Sequence, residues 1–397
     1  MVPWSELPVE LLEAVEDNVI LYVDKVRLCS VCAPWRSALT KLPQPRLHQT
    51  PCLLLQYDDN NVATCGLFSP LYNKFYQLEL PELAEGKLFK GSSHGWVVTL
   101  GDSPSLCLIN PLTRAQLKLP PRSSFPDVVK YRSDKINNEY ALRDAYDRNA
   151  FYTLDGRHVR NFLTKKIVLS ESDDYLAVAI YGEFGRLAYC RKGYKKWVHL
   201  HGHRCPYEEV KFFRGLLYAL NCSGKLLICE VGACPKVTKI IDLGRTTLGD
   251  NMAYLVENSG ALLMVERYRR RCQTTRKHKT NSFRIFKLDD VAHGFPSLIE
   301  VKDLGGDALF LGLNLSSSIS CGDFPDCRGN CIYFTDDSDD IIGQEGIQGV
   351  DFDMGIYDLN DGNIETLSVP EQHSLSSLST NGYDPKEQLL LKLRAVS

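Results

Sequence analysis

The sequence has little net charge and no long apolar run, and both absences exclude classes of protein. Its formal net charge is -3 over 397 residues, so it lacks the basic excess typical of nucleic-acid binding. It has no apolar stretch of about 18 residues that could span a membrane. The first residues, Met1 to Glu6, have neither the basic nor the apolar region of a signal peptide. We therefore expect a soluble protein of the nucleus, the cytoplasm or both, with no nucleic-acid or membrane partner.

The chain also lacks the linear motifs of common enzymes. It contains no G-x-x-x-x-G-K-[ST] phosphate-binding loop, no H-E-x-x-H zinc motif, no G-x-S-x-G nucleophile turn and no kinase motif set. An active site built from scattered loops would leave no such motif. The absence favours a non-catalytic protein without a cofactor.

Histidine and cysteine form two clusters whose spacing raises the question of a metal site. His199, His201 and His203 alternate, with Cys205 close behind, but Gly202 and Pro206 in the same stretch indicate a turn. Cys321, Cys327 and Cys331 lack the paired C-x-x-C spacing of zinc ribbons. We expect no metal at either cluster. The fourteen cysteines stand mostly among apolar neighbours, which predicts buried thiols in a reducing compartment rather than a disulfide framework.

The first forty-odd residues predict three short helices. Pro8 suits the first turn of a helix, and one apolar stripe follows it at Leu11, Leu12, Val15 and Val19. Asp24 is placed to cap a second helix, and Pro34 ends that helix and begins a third. The second and third helices have apolar faces formed by Leu28, Val31 and Cys32 and by Trp35, Ala38, Leu39 and Leu42. Three helices this short cannot bury enough apolar surface alone, so some of these side chains must face another domain or a partner.

This module resembles an F-box, whose pattern runs from L-P-x-E-L-L to V-C-x-x-W. Both halves are present, at residues 7–12 and 31–35. The resemblance implies that the module docks on a Skp-type adaptor. It departs from the family at residues 16–18, where an apolar residue is more usual. An ordinary helical cap on the body of the protein is the alternative. The implied adaptor-facing residues are Leu7, Pro8, Leu11, Leu12, Val15, Leu28, Val31, Cys32 and Trp35.

From about residue 50 the pattern changes to short extended runs separated by Gly, Pro, Asn and Asp. Several runs pair as hairpins, of which 216–229 around the turn Asn221–Gly224 is the clearest. Hairpin-like units recur at 95–109 and between 330 and 359. A repeating all-β chain of this size hides its sheet edges best as a propeller, and roughly six or seven blades would fit. The candidate strands are 52–56, 96–100, 105–109, 175–181, 187–190, 216–220, 226–230, 261–266, 283–287, 308–313, 331–334 and 354–358.

The same region is similar to the plant KIB-type propeller, a family found behind an F-box. The similar segments are 91–97, 108–114, 117–120, 194–197, 212–220 and 329–337. Within the second segment, Asn110-Pro111-Leu112-Thr113 predicts a turn closed by the Asn110 side chain. We therefore expect a mainly β protein with a three-helix F-box over 1–45, a linker and first strands over 46–85, and a degenerate β-propeller over 86–397.

Two charged runs interrupt the strands. The basic run from Arg267 to Lys279 separates two candidate strands and predicts a long solvated loop, either a nuclear-import signal, a contact for an acidic partner or merely a soluble loop. The acidic run from Asp336 to Asp340 lacks the spacing of a calcium-binding loop. We expect it to be another exposed loop.

The two resemblances together imply a target-binding subunit of an SCF-type (cullin-RING) ubiquitin ligase. In that role the helices would bind a Skp-type adaptor on a cullin scaffold, and the propeller would hold a target protein. The target is unknown, with a kinase or another signalling protein as the class that the resemblance suggests. Loops at 131–152 and 194–207, rich in aromatic residues and arginine, are the candidate recognition rim. The alternatives are a scaffolding or sequestering F-box protein outside any ligase, and a propeller enzyme or carbohydrate-binding domain with an incidental helical cap.

Overall fold

The computed structural model describes residues 4–17, 19, 22–39, 51–59, 62–72, 74–80, 87–144, 147, 149–172, 174–203, 205–244, 251–272, 278–289, 297–312, 315–324, 327–337, 353–367 and 392–394. The described part of the chain is mainly β, with a short helical module at its start. This confirms the predicted fold class. None of the helices in these ranges is long and apolar enough to span a membrane.

Three helices form the N-terminal module after a 3₁₀ turn at Trp4–Glu6. They are α1 (Val9–Asp17), α2 (Tyr22–Val31) and α3 (Ala33–Leu39). Pro8 precedes α1, and its carbonyl accepts hydrogen bonds from the amides of Leu11 and Leu12. The prediction that Asp24 caps α2 is wrong. The helix already begins at Tyr22, and Asp24 pairs instead with Arg27 on the surface of the first turn.

Twenty-eight strands in the described ranges form seven sheets. The first two contain β1 (Cys52–Asp59), β2 (Val62–Ser69) and β3 (Lys74–Glu79), then β4 (Leu88–Ser93), β5 (Trp96–Leu100), β6 (Leu106–Ile109) and β7 (Gln116–Leu119). A small sheet of β8 (Val128–Tyr131), β9 (Tyr140–Arg143) and β10 (Phe151–Leu154) follows and is continued by helix α4 (Gly156–Phe162). The next two sheets are β11 (Thr164–Leu169), β12 (Leu176–Tyr181), β13 (Arg186–Arg191) and β14 (Val198–His199), then β15 (Tyr207–Phe213), β16 (Leu216–Asn221), β17 (Lys225–Glu230) and β18 (Lys236–Asp242).

The last two sheets complete the fold. One contains β19 (Met252–Asn258), β20 (Ala261–Arg271), β21 (His278–Asp289) and β22 (Ser297–Val301). The other contains β23 (Asp307–Leu311), β24 (Ser317–Ser320), β25 (Cys331–Phe334), β26 (Gly355–Asp358) and β27 (Ile364–Thr366). The strand β28 (Lys392–Arg394) returns to the first sheet and pairs with β1, with Leu393 opposite Leu53. Each candidate strand of the sequence overlaps one of these elements, although 308–313 runs past the end of β23 at Leu311 and its residue 313 lies outside the described part of the chain. The predicted hairpin at 216–229 is confirmed as β16 and β17.

Six of the sheets form a closed ring, which makes them blades 1 to 6 of a propeller. Blade 1 is β28 with β1–β3, blade 2 is β4–β7, and blades 3 to 6 begin at β11, β15, β19 and β23. The strands that pack from blade to blade around the centre are β28, β4, β11, β15 and β19, followed by β24. The small sheet β8–β10 lies outside the ring, because β4 packs directly on β11. We call it the side sheet.

The apolar core is divided among the gaps between neighbouring blades. Leu54 of blade 1 packs with Val97 of blade 2 in one cluster. Val98, the next residue, points the opposite way and packs with Ile167 of blade 3. This alternation repeats around the ring, and Leu53 closes it by packing against Phe310 of blade 6. Strands buried on both faces read as continuous apolar runs, which is why their positions could be predicted.

Asparagine side chains close two of the turns between strands. The Asn110 Oδ1 atom accepts hydrogen bonds from the amides of Leu112 and Thr113, both at 3.0 Å. This confirms the predicted turn. Asn221 does the same after β16, where its Oδ1 atom accepts from the amides of Ser223 and Lys225.

The prediction of a solvated loop at Arg267–Lys279 is wrong for most of its length. Strand β20 extends to Arg271 and β21 begins at His278, so the run forms the end of a long hairpin. Residues 273–277 lie outside the described part of the chain. Arg267 is fully buried, and its guanidinium binds Asp337 (Nη1 to Oδ1, 3.2 Å) and Asp353 (Nη2 to Oδ2, 2.9 Å). The prediction that Asp337 lies in an exposed loop is therefore also wrong.

The cysteine prediction needs one correction. Cys321 and Cys327 form a disulfide across a short loop in blade 6. Eleven other cysteines in the described ranges are free thiols, and Cys52, Cys190, Cys229 and Cys331 among them are buried. Burial raises the pKa of Cys190 to about 12 and that of Cys229 to about 11, so these thiols stay protonated near neutral pH.

We expect the substitution Arg267→Met to lower the free energy of unfolding by about 3 to 5 kcal/mol, because it leaves buried carboxylates without their cation. The matched control is Arg284→Met, which removes an exposed pair with Glu300 and should cost less than about 1 kcal/mol. Urea unfolding of both variants measures the difference. Equal losses would show that the buried network contributes no more than a surface pair.

Candidate functional site

The helical module has a small core of its own. Leu12, Trp35 and Leu39 are buried in it, and Leu7, Leu28, Cys29, Cys32 and Ala38 pack around them. The indole Nε1 atom of Trp35 donates a hydrogen bond to the backbone carbonyl of Trp4, at 2.8 Å. This bond ties the chain before α1 to α3. The module therefore holds its shape by a few large side chains rather than by a deep core.

A buried ion pair joins α1 to α2. The carboxylate of Glu16 contacts the ammonium of Lys25, and the exposed fractions of the two side chains are 3% and 9%. Glu16 stands where the F-box pattern more often has an apolar residue, and by sequence alone it is only a departure from that pattern. Its partner Lys25, which the sequence pattern did not indicate, is nine positions away on the next helix. Together the two charges replace an apolar contact between helices.

Several apolar side chains of the module remain in solvent. Pro8, Leu11 and Val15 follow one another at spacings of three and four along α1, so they share a face of the helix. Leu11 is 53% exposed and Val31, at the end of α2, is 57% exposed. We call these side chains, together with Trp4 and Val9, the exposed apolar set. Large apolar side chains concentrated on so small a module are typical of an interaction surface.

The predicted adaptor-facing residues fall into three groups. Pro8, Leu11, Val15 and Val31 are exposed. Leu7, Leu28 and Cys32 are half-buried at the edge of the core, while Leu12 and Trp35 lie inside it. Trp4 and Val9 are exposed but were not predicted, although both flank the Leu7-Pro8 pair in the sequence. The assignment of these residues to an adaptor stays a prediction.

The two segments of the candidate recognition rim, 131–152 and 194–207, differ in how far their large apolar side chains are exposed. The segment 131–152 belongs largely to the side sheet, which has its own core of Tyr140, Leu142, Val159 and Leu163. Its outer surface carries exposed Val129, Ile136 (79% exposed) and Phe151 (66% exposed). In the segment 194–207 Trp197 and Tyr207 are buried, whereas Tyr194 is exposed. The Nε1 atom of Trp197 donates to the carbonyl of Pro120 and is buried.

The histidine stretch does not form one strand face, because His199 ends β14 and residues 200–203 have no regular secondary structure. The rings of His199 and His201 lie 4.5 Å apart, whereas the Nδ1 atom of His203 faces the side-chain amide of Asn221 at 3.3 Å. Burial lowers the pKa of His199, and the neighbouring His201 lowers it further. In the described ranges no three His, Cys, Asp or Glu side chains are grouped as a metal would need.

Comparison with known proteins gives a consistent result. Residues 67–358 match the model of the KIB1-4 beta-propeller family. A putative F-box protein of Arabidopsis thaliana, At5g55150, is 26% identical over 353 residues, which cover 87% of this chain and 89% of the relative. The F-box protein SKIP23 of Arabidopsis thaliana is 24% identical over 410 residues, with 94% of each chain covered. Among solved structures, the N-terminal domain of Nup159 aligns with a TM-score of 0.32 at 11% identity, covering 66% of this chain and 63% of that one.

The ion pair between the helices gives a testable result. We expect Lys25→Met to speed amide hydrogen exchange in α1 and α2, because it leaves the Glu16 carboxylate buried without a cation. The double variant Glu16→Gln with Lys25→Met should restore much of the protection. Arg27→Met, at an exposed position on the same helix, is the control and should change exchange little. Exchange rates in Lys25→Met that match the control would contradict a stabilising role for the pair.

Proposed function

The chain belongs to the KIB1-4 β-propeller family, and from this premise we propose that it is the target-binding subunit of an SCF-type (cullin-RING) ubiquitin ligase. The helical module binds a Skp-type adaptor, and the propeller with its side sheet binds the target protein. The observation that carries the proposal is the exposed apolar set on a module too small to bury it. Two relatives that are named F-box proteins match this chain over most of their length. Their names support the same role.

Docking on an adaptor covers the apolar side chains that the module cannot bury by itself. Burying a leucine or valine side chain contributes roughly 1.5 to 3 kcal/mol, and the stripe of Pro8, Leu11 and Val15 would offer a groove several such contacts in a row. The core residues Leu12 and Trp35 act indirectly, because they hold α1 and α3 in place beneath that stripe. The chain carries out no bond chemistry in this role. Its contribution is to raise the effective concentration of the target near a ubiquitin-charged enzyme on the cullin scaffold.

The side sheet is the target-binding surface we favour. It stands outside the closed ring, so its outer face is not needed to bury a neighbouring blade. Phe151 lies on β10, an edge strand of this sheet, and Ile136 lies in the loop between β8 and β9. Aromatic and large aliphatic side chains of this kind are the usual anchors of a protein interface. The target is a protein of the nucleus or cytoplasm, of the signalling class that includes kinases.

We expect Leu11→Asp to reduce adaptor binding at least about 100-fold, because it removes apolar contact and buries a charge. Isothermal titration of the intact chain with a purified Skp-type adaptor measures the effect. The control is Ile299→Asp, which makes the same kind of change at an exposed position of blade 5 and should leave the affinity unchanged. Equal affinity for Leu11→Asp and the unaltered chain would refute docking through α1. A chain that acts as an isolated enzyme or sugar-binding domain would not bind the adaptor at all.

The side sheet is tested separately. In cells, Phe151→Asp should recover the adaptor normally but lose the proteins that proximity labelling detects around the unaltered chain and that become ubiquitylated with it. Ile364→Asp, at an exposed position of blade 6, serves as the matched control and should keep both. If Phe151→Asp labels and ubiquitylates the same proteins as the control, the target binds elsewhere. If targets are recovered but never ubiquitylated, the chain is a scaffold.

A further inference from the structure

A polar cavity of about 370 Å³ lies at the centre of the ring and has no part in the function proposed above. Its walls come from the central strands β4, β15, β19 and β24 and from the turns that follow β4 and β19. The cavity falls within the size range of small-molecule sites, which is about 300 to 1,000 Å³. Unlike the gaps between blades, it is lined mainly by polar side chains.

The segment before β24 crosses the ring and forms one side of the cavity. The Leu315 amide donates to the carbonyl of Ser92 on β4, at 3.0 Å. On the other side, the Nζ atom of Lys211 on β15 donates to the carbonyl of Ser316, at 2.8 Å. These bonds join blades that are not neighbours in the ring. The cavity is therefore framed by fixed backbone rather than by loops alone.

Lys211 is the charged group inside this frame. It is 7% exposed, and an ammonium group has three N–H donors. Among the residues that the structure describes, the Ser316 carbonyl is the one hydrogen-bond acceptor of its Nζ atom. Burying an ammonium with two donors unused is unfavourable unless something completes its hydrogen bonds. A group in the cavity is in position to do so.

Within the described part of the chain this ammonium forms no ion pair with a carboxylate, and its Nζ atom contacts the Ser316 carbonyl instead. Glu209, which is next to it on β15, is already paired with Lys166 of β11 through both carboxylate oxygens, at 2.6 and 2.7 Å. Burial lowers the pKa of His94, and the charge of Glu171 opposes this effect. The positive charge of Lys211 repels a protonated imidazole and so lowers the pKa further. Glu171 and Glu257 are exposed at the rim, where water screens them. The interior end of the cavity is thus positive.

We propose that the central cavity binds a small organic anion, whose carboxylate or phosphate group accepts hydrogen bonds from Lys211. The hydroxyl groups of Ser92 and Ser317, which also line the cavity, bind polar atoms of the same molecule. A neutral sugar would leave the positive charge of Lys211 uncompensated, and a cation would be repelled by it. A molecule with one anionic group and one or two hydroxyl groups matches both the charge and the donors.

The binding should depend on pH in a defined direction. Burial lowers the pKa of Lys211 to about 8, while Glu209 and Glu257 act to raise it and Lys166 to lower it. A bound anion favours the charged form of Lys211, so its binding is accompanied by proton uptake near this pKa. The affinity therefore falls as the pH rises above the pKa. His94, Glu171 and Glu209 also face the site. None of these three groups becomes more positive as the pH rises, so none of them strengthens anion binding above pH 8.

The test uses the intact chain and titrates it calorimetrically with D-glycerate, an anion with two hydroxyl groups that does not itself titrate between pH 7 and 9.5. We expect saturable one-to-one binding at pH 7 that weakens about 30-fold by pH 9.5. Lys211→Met should reduce the affinity at pH 7 at least tenfold. Lys236→Met, at an exposed position on the outer strand β18 of the same blade, is the matched control and should bind as the unaltered chain does.

Inorganic phosphate at pH 7 serves as a second probe and should compete with D-glycerate. Absence of binding by both probes at millimolar concentration would overturn the proposal, and so would equal affinity in Lys211→Met and the control. Should Lys211→Met fail to fold, the pH series on the unaltered chain decides the matter. Affinity that stays constant from pH 7 to 9.5 would exclude Lys211 as the anion-binding group.

Discussion

The fold depends on one packing constraint, which is that each blade buries both of its faces against its neighbours. Leu53 and Leu54 illustrate it, since adjacent residues of β1 face blade 6 and blade 2 respectively. A sheet that is apolar on both faces cannot end the structure, so the ring has to close. Closure is achieved in blade 1, where β28, the last strand of the ring in sequence, pairs with β1, the first.

Closure of the ring also decides where polar chemistry can lie. The gaps between blades are filled by apolar side chains, so charged groups collect at the centre and at the ends of long hairpins. Lys166, Glu209 and Lys211 occupy the centre, whereas Arg267 with Asp337 and Asp353 fixes the end of the β20–β21 hairpin to blade 6. Two elements outside the ring also have exposed apolar side chains. These are the side sheet and the helical module.

The helical module obeys a different constraint, because it is too small to bury its own apolar residues. Its core uses Leu12, Trp35 and Leu39, and the Glu16–Lys25 pair stands where an apolar contact would otherwise join two helices. Leu11 and Val31 remain in solvent as a result. A closed ring joined to an incomplete module fits the proposed role of a receptor subunit. One part can recognise a target while the other attaches it to a larger assembly.

The amino-acid sequence by itself determined the class of fold, the existence of the module and the positions of about a dozen apolar strands, because these follow from local periodicity and from residue types at fixed spacing. The Asn110 turn is of the same kind, since its bonds span two or three residues. Only the tertiary structure decided that the side sheet lies outside the ring and that β23 and β25 run parallel. It also decided which charges are buried. Arg267 and Asp353 are 86 residues apart, and a contact at that distance depends on how the blades close rather than on any local pattern.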